Sequence, residues 1–573
     1  MKNKLLASGM NLLTSDTSNV TNLIYKNRIK LKYNMEEMCV FNHNIDYKID
    51  DLKDVGEGAL LLSEHITKGK RIALVTDYDA DGLTSAVVLT KGLLKIFKCN
   101  PDNVIVFINK RNDGNGFNPT LTNRIITEHK KQFIDLVISA DHGSADEASY
   151  IKLKEAGIPK LLITDHHAIE LGIPEHADVF INPIREDSNY IKSISGCCTA
   201  FLLLVKTYNL MHKTTDYRPM YELLPYVGMS TVTDVMTLDE PFNRQMVRLG
   251  LRELNSLRNK AWIPIKKILG VTGLATVKDF GWKFGPLINS GNAMDAEQSV
   301  YEMLMEEDPT KVDEMVKEVN DSNTVRKKVT RTLNKLAAEE IDTEYGLTAI
   351  VETNINVNGK VAAAVGGQYN RPIVCFSLDK SNLSYSGSGR GVIPNLDIMS
   401  IMYAVQNEDA SVINYFGGHK GVLGCNIPKD KYPDFKRLFD KHARFELERL
   451  GNNDLVNIDM YVPENDITIG LANEVTALQP YGKNWLEPIF ATELKVKAIW
   501  KIMNFVKIIF SRKNGSDLTA TYFFNDRTTL TPDNIKDRLR GKKVMVAYTL
   551  KLGSYRGIFN LDLEVMKIGG YNE

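Results

Sequence analysis

The stretch Ile72-Ala73-Leu74-Val75-Thr76-Asp77-Tyr78-Asp79-Ala80-Asp81-Gly82 decides how this chain is read. An apolar run is followed at once by three alternating carboxylates, and the residues beyond them predict a helix over Leu83–Leu94. Strand, acidic turn and helix in that order begin an open α/β sheet, in which ligands bind outside the carboxyl ends of parallel strands. Carboxylates this close repel one another. A hard divalent cation, which prefers oxygen ligands, is their natural neutraliser. Asp-x-Asp-x-Asp-Gly also opens an EF-hand calcium loop, but that loop needs a bidentate Glu at its twelfth position. Counting from Asp77, the twelfth residue is Val88, and the run before the loop is strand-like rather than helical.

Further acids stand in similar places. Asp141 follows Val137-Ile138-Ser139-Ala140, and Asp165-His166-His167 follow Leu161-Leu162-Ile163-Thr164. Asp234 comes after Ser230-Thr231-Val232-Thr233. One such Asp is ordinarily a helix N-cap, and adjacent histidines alone are commonly surface or core residues. Four occurrences in one α/β domain are a different matter, because every strand of a parallel sheet ends at the same edge and the groups there converge. Asp oxygen with His nitrogen suits Mn²⁺ or Mg²⁺ better than Zn²⁺. Two such ions about 3.5–4 Å apart hold a phosphate between them and activate a water.

With 573 residues the chain exceeds one ordinary domain, and about 150 residues per domain suggests three or four. Hydrophobic content of 43% and charged content of 25% are those of a soluble globular protein. No apolar run approaches the roughly 20 residues of a membrane span, and the N-terminus lacks a stretch long enough for a signal peptide. The six cysteines are scattered, without a C-x-x-C pair. A reduced, cytoplasmic protein without membrane association is therefore expected. The formal net charge is zero, so any nucleic-acid site must be a local patch.

Strand candidates Arg71–Thr76, Asn103–Ile108, Leu136–Ala140, Leu161–Thr164 and Val179–Ile181 alternate with helical stretches such as Ser144–Glu155 and Thr199–Leu210. This alternation predicts a parallel sheet with helices on both faces. A charged helical stretch over about 295–342 reads as a long connector. Leu347–Val351, Val361–Val365 and Ile373–Ser377 then resume strand character in a second α/β domain. The tail from about 455 has β-branched and aromatic runs broken by turns, which predicts a small β-barrel. From 491 to 560 it carries fourteen Lys or Arg against five Asp or Glu, interleaved with Tyr522, Phe523, Phe524 and Tyr555. Basic residues with aromatic faces suit a single nucleic-acid strand, although aromatics of a small barrel ordinarily fill its core.

Asp165-His166-His167, preceded by Asp77-Tyr78-Asp79-Ala80-Asp81-Gly82, resembles the DHH phosphoesterase superfamily, and within it the RecJ-type single-strand-specific exonucleases over nearly the whole chain. The resemblance implies a DHH catalytic domain over 46–294 after an N-terminal extension over 1–45. A connecting helix over 295–342, a DHHA1 domain over 343–452 and an OB-fold over 453–573 would follow. It implies that Asp77, Asp79, Asp81, Asp141, His166 and Asp234 hold two divalent cations, Mn²⁺ or Mg²⁺. His167 would contact the scissile phosphate, oriented by Asp165. Asn109–Phe117 looks like the family's basic loop, which makes Arg111 a candidate for the terminal phosphate. Gly387-Ser388-Gly389-Arg390-Gly391 and Gly417-Gly418-His419-Lys420-Gly421 look like the DHHA1 elements, with Ser388, Arg390, Gly418 and His419 as phosphate binders. Leu478–Pro488 resembles the loop before the OB-fold. Departures are His142 where Asn is frequent, Asn292 where Arg is frequent, and Val422-Leu423 after the Gly-Gly-His element.

The implied activity is 5′-to-3′ hydrolysis of single-stranded DNA to nucleoside monophosphates in repair, recombination or replication. A single-strand-binding protein or helicase would be a partner. The alternatives are a non-catalytic replication scaffold and a phosphodiesterase for oligoribonucleotides or cyclic dinucleotides. The first loses metal ligands that are all present here, and the second generally lacks an OB module.

Overall fold

The computed structural model describes residues 24, 38, 44–114, 116–293, 296–352, 357–379, 382–393, 395–451, 456–502, 505–523, 535–555 and 558–569. Most of the expected N-terminal extension, and Phe524, lie outside the described residues. The chain divides into two compact units. One comprises residues 33–326 with 480–486, and the other comprises 327–479 with 487–573.

In the first unit, α1 (Val55–Thr67) leads into β1 (Ile72–Thr76), α2 (Ala80–Lys91), β2 (Val104–Ile108), α3 (Pro119–Lys131), β3 (Leu136–Ala140), α4 (Glu147–Glu155), β4 (Lys160–Thr164) and β5 (Val179–Ile181). The five strands form one wholly parallel sheet in the order β2-β1-β3-β4-β5. The chain passes to one side of β1 for β2 and to the other for β3, so the strand order reverses between β1 and β3. That reversal opens a crevice at the carboxyl ends of these two strands. Alternation builds two cores. Ile72 and Leu74 of β1 face one of them, with Leu136 and Ile138 of β3, α2 and α5 (Gly196–His212). Ala73 and Val75 face the other, with Val137, Leu161, α3 and α4. Strands buried on both faces explain why these runs are continuously apolar. Two further helices, α6 (Leu224–Thr233) and α7 (Pro241–Ser256), complete what is needed for the site.

The helix expected from Leu83 begins earlier, at Ala80. Asp79 supplies the reason: its carboxylate accepts from the Asp81 and Gly82 amides at 2.9 and 3.1 Å, an N-cap that starts the helix inside the acidic motif. The long connector also breaks, into Glu297–Met305 and α8 (Pro309–Glu339), with Pro309 placed where its ring is tolerated, at a helix start.

The second unit carries a five-stranded sheet in the order β6-β7-β8-β10-β9, made of β6 (Leu347–Ile350), β7 (Ile373–Leu378), β8 (Ser384–Arg390), β9 (Tyr415–His419) and β10 (Val422–Pro428). β6 and β7 are parallel and the remaining pairings are antiparallel. The expected strand Val361–Val365 is a helix instead, inside α9 (Asn358–Tyr369). Val361 and Val365, one helical turn apart, face Leu347, Ile373 and Cys375, and the intervening alanines are strong helix formers. The opposite sheet face is covered by α10 (Ile398–Glu408) and α11 (Tyr432–Leu450).

The tail is the expected barrel. β12 (Phe490–Ile502), β13 (Phe505–Ser511) and β14 (Asp517–Phe523) form a meander, and β14 pairs in parallel with β16 (Ile558–Gly569). β15 (Lys543–Tyr555) pairs with both β16 and β12 and closes the ring. The short β11 (Met460–Tyr461) adds to β12. A register shift at Val496/Ala498 lets the long β12 serve both sides of the closure. Among the described residues, no helix is long and apolar enough to cross a membrane.

Candidate metal centre and phosphate-binding surfaces

His166, just beyond β4, is the hub of the site. Its Nδ1 lies 2.9 Å from the Ile194 carbonyl. A carbonyl can only accept, so Nδ1 donates to it and Nε2 is the atom left for the acids. Nε2 faces Asp141 Oδ1 at 3.1 Å, Asp234 Oδ2 at 3.5 Å and Asp81 Oδ2 at 3.6 Å. Three carboxylates turned towards one imidazole nitrogen need a cation or shared protons to coexist. Oxygen ligands with one imidazole suit Mn²⁺ or Mg²⁺. Two groupings have ligand spacing, Asp81-His166-Asp234 and Asp141-His166-His167.

The three alternating aspartates have separate tasks. Asp81 is buried, accepting from the Gly196 and Cys197 amides at 2.7 and 2.8 Å and from the Ser230 hydroxyl at 2.6 Å. It thereby holds the first turn of α5, where a carboxylate also meets the positive helix end. Asp79 caps α2. Asp77 directly follows β1, with Asn109 Nδ2 at 3.4 Å. Asp77 and Asp79 lie outside the two groupings, but their charges act on Asp141. Asp141 adopts φ 67, a left-handed conformation unusual for a non-glycine residue. Gly196 makes room for it: a Cβ at 196 would stand 2.6 Å from Asp141 Oδ1.

Burial, then the charge of Asp79, lifts the Asp77 carboxyl to about 7. Burial, then Asp81 and Asp79, lifts Asp234 to about 8, with His167 and Lys483 acting the other way. Asp79 and Asp141 are also raised, by burial first and then by the Asp81 charge. Asp165 differs. Burial works against its ionisation, yet the His167 hydrogen bond at 2.9 Å and the Ser144 amide and hydroxyl at 2.9 and 2.6 Å hold it far below the usual range. Its carboxylate in turn overcomes the burial of His167 and raises that ring to about 9, so His167 is cationic at neutral pH with its outer face open to solvent. His142 is a neutral core ring beside Phe117, pulled down to about 4 by burial.

Asn109 organises the loop that carries Arg111. Its Nδ2 donates to the Gly114 and Gly116 carbonyls at 3.0 and 3.2 Å, and its Oδ1 accepts from Asn118 at 2.8 Å. The exposed Arg111 guanidinium lies 5.9 Å from the ring of Tyr78, the residue between Asp77 and Asp79.

In the second unit, Arg390 Nη1 donates to Ser388 Oγ at 3.2 Å. Gly359, in the first turn of α9, approaches them so closely that a Cβ would meet Arg390 Nη2 at 2.4 Å and Ser388 Oγ at 3.0 Å. Ser388 pairs with Gly424, which pairs with Gly417, and Arg390 pairs with Val422, which pairs with His419. The register thus lays a lane of bare backbone beside Ser388 and sets His419 two strands from Arg390. Gly418 has φ 148, and a Cβ there would strike the Val422 carbonyl at 2.3 Å. On the barrel, Tyr522 is core, whereas Trp500 and Phe523 are half exposed and Phe523 packs on Phe505 at 5.5 Å.

Residues 71–229 match the model of the DHH family, N-terminal domain, and residues 458–567 match the RecJ OB domain. The single-stranded-DNA-specific exonuclease RecJ of Haemophilus influenzae is 26% identical over 545 residues, spanning 90% of each chain. Its Escherichia coli counterpart is 25% identical over 539 residues, again 90% of each chain. The chain thus matches a DHH-family domain near its N-terminus and a RecJ-type OB domain near its C-terminus, and it resembles RecJ exonucleases over most of its length. The crystal structure of RecJ in complex with Mn²⁺ from Thermus thermophilus is similar in fold, with a TM-score of 0.77 at 20% identity, covering 98% of this chain and 79% of that one.

Sequence reading missed several supports of this site: Ser144, Asn182, Ser230, Gly196 and Asn289. Asn289 accepts from the Ala80 amide at 3.0 Å, and Asn182 donates to Ser144 Oγ and to the His167 carbonyl, each at 2.9 Å. Only Ser230 had a signal, lying one helical turn before Asp234.

The cluster has consequences for stability and for metal affinity. A carboxyl raised in the folded state binds its proton more tightly there than in the unfolded chain, so metal-free stability falls as pH rises from the ordinary carboxylate range to about 8. Melting temperatures in EDTA should therefore drop between about pH 5.5 and about pH 8, and Mn²⁺ should raise them more at the upper value because ligands must be deprotonated. A flat EDTA profile would contradict a repulsive cluster. Gly196→Ala should displace Asp141 and lower Mn²⁺ affinity about 10–100-fold, measured by titration calorimetry.

Proposed function

We propose that this chain is a metal-dependent exonuclease that removes nucleoside monophosphates from the 5′ end of single-stranded DNA. The observation that carries the reading is the meeting of His166 Nε2 with Asp81, Asp141 and Asp234 at the β1/β3 crevice. Asp77, Asp79, Asp81, Asp141, His166 and Asp234 would hold the divalent cations, Mn²⁺ or Mg²⁺. When bound, these supply a Lewis acid for the phosphate and a more acidic water.

The chain's own residues do the rest. His167, cationic and steadied by Asp165, offers an N–H to the scissile phosphate. Asp165, ionised and saturated by Ser144 and His167, keeps the ring in register. Arg111 presents a guanidinium suited to a terminal phosphate. Ser388, Arg390, Gly418 and His419 offer a second anion cradle, in which the Gly359 amide joins as a helix-terminal donor. The barrel, with its basic excess, Trp500 and Phe523, suits the unpaired strand. A catalytic DHH domain, a DHHA1 domain and an OB module would thus divide chemistry, phosphate anchoring and strand grip. A cytoplasmic setting, with a single-strand-binding protein or helicase to supply substrate, agrees with this work in repair, recombination or replication.

End-labelled single and double strands incubated with Mn²⁺, Mg²⁺ or EDTA test the proposal directly. Stepwise loss from the 5′ end of the single strand is expected with either metal and none with EDTA. Asp141→Ala and His166→Ala should each remove activity by at least about 100-fold, with the melting temperature of Asp141→Ala in EDTA little changed, since a repelling carboxylate is gone. Wild-type rates in either variant would overturn the site assignment. Trp500→Ala with Phe523→Ala should weaken binding of a long strand about 10-fold or more and leave cleavage of a short oligonucleotide within about twofold.

A further inference from the structure

Seven residues from late in the chain lie in the catalytic unit: 480–486 group with 33–326 and not with the barrel that follows them. Arg244 of α7, fully buried, donates from Nη1 to the Pro480 carbonyl at 2.9 Å and the Leu238 carbonyl at 3.2 Å. Its guanidinium lies 5.1 Å from the ring of Trp485, which is also fully buried. Between these anchors the strap turns tightly. The Gly482 amide donates to the Trp485 carbonyl at 2.9 Å, and the Trp485 amide returns a bond to the Gly482 carbonyl at 3.1 Å. Gly482 suits this close approach, since a Cβ would stand 2.7 Å from Leu238 Cδ1 and push that side chain aside.

The apex of that turn is Lys483-Asn484. Its backbone is docked on the segment that follows Asp234: the Leu238 amide donates to the Lys483 carbonyl at 2.9 Å, and Asn484 Nδ2 donates to Thr237 Oγ1 at 2.8 Å. The Lys483 side chain is exposed. Among the described residues its ammonium forms no ion pair, although its charge is felt at the Asp234 carboxylate. A lysine bound to Asp234 would be a structural counter-ion. This one forms no such pair, and its root is fixed by four backbone and side-chain hydrogen bonds, two of them to the segment just past Asp234.

We infer that Lys483 is a substrate contact, its ammonium taking a non-bridging phosphate oxygen of the strand on the Asp234 side of the site. A lysine serves there as a mobile point charge. The inference rests on the single-strand nuclease reading.

The test compares the full-length wild type with Lys483→Ala and Lys483→Arg on a single-stranded oligonucleotide with Mn²⁺, at several salt concentrations. Loss of one phosphate contact should raise KM about 10-fold for Lys483→Ala, with kcat within about twofold. The slope of log KM against log salt should become shallower by about 0.7. Lys483→Arg should recover most of the KM, and the melting temperature should not move in either variant. An unchanged KM and slope in Lys483→Ala beside an active wild type would overturn this contact alone. So would a lowered melting temperature, or a loss in Lys483→Arg equal to that in Lys483→Ala. A wild type that leaves single strands uncut would sink the nuclease reading, and the contact with it.

Discussion

Buried carboxylates that repel one another are the constraint around which the first unit is built. Taking like charges out of water is costly unless something compensates. Here the protein compensates only in part, by giving Asp81 and Asp79 backbone donors from helix starts. Asp141 and Asp234 are left with raised titration, dominated by burial and by the neighbouring acids. The result is a pocket of stored repulsion, stable because the β1/β3 crevice and the α2 and α5 starts over-determine its geometry. A cation entering it gains what the fold withheld.

Most of that arrangement could be read from the chain. Apolar runs ending in Asp77, Asp141 and Asp165 pointed to the parallel sheet and its ligand-bearing edge, because strand period and strand-end chemistry are local properties. The closed barrel was likewise legible from turn-separated β-branched runs. What stayed hidden was long-range or conditional. Val361–Val365 has strand-like residues, and only packing of Val361 and Val365 on β6 and β7 decides for helix. Asp81 reads as one of three equal acids, yet its partners are 115 and 116 residues away. Arg244 reaches Pro480 across 236 residues, and nothing at either position announces the other.

Under the proposed function the two units would recognise anions differently. The first relies on side chains that converge at strand ends and on imidazoles whose protonation is set by neighbours. The second removes side chains. Gly359 lets backbone come close to Ser388 and Arg390, and Gly424 and Gly417 leave the neighbouring strands bare, so that dipoles and one guanidinium would do the recognising. Glycine lanes of this kind are read poorly from a single sequence, since the same residues also make plain turns.

One detail of the first unit carries further. Asp81 is at once a member of the acidic cluster and the acceptor that fastens the opening residues of α5. Fraying at Gly196 and Cys197 and loosening of the cluster are consequently a single event. Amide protons at those two positions would exchange on the timescale of site opening, making the start of one helix a reporter of whether the centre is assembled.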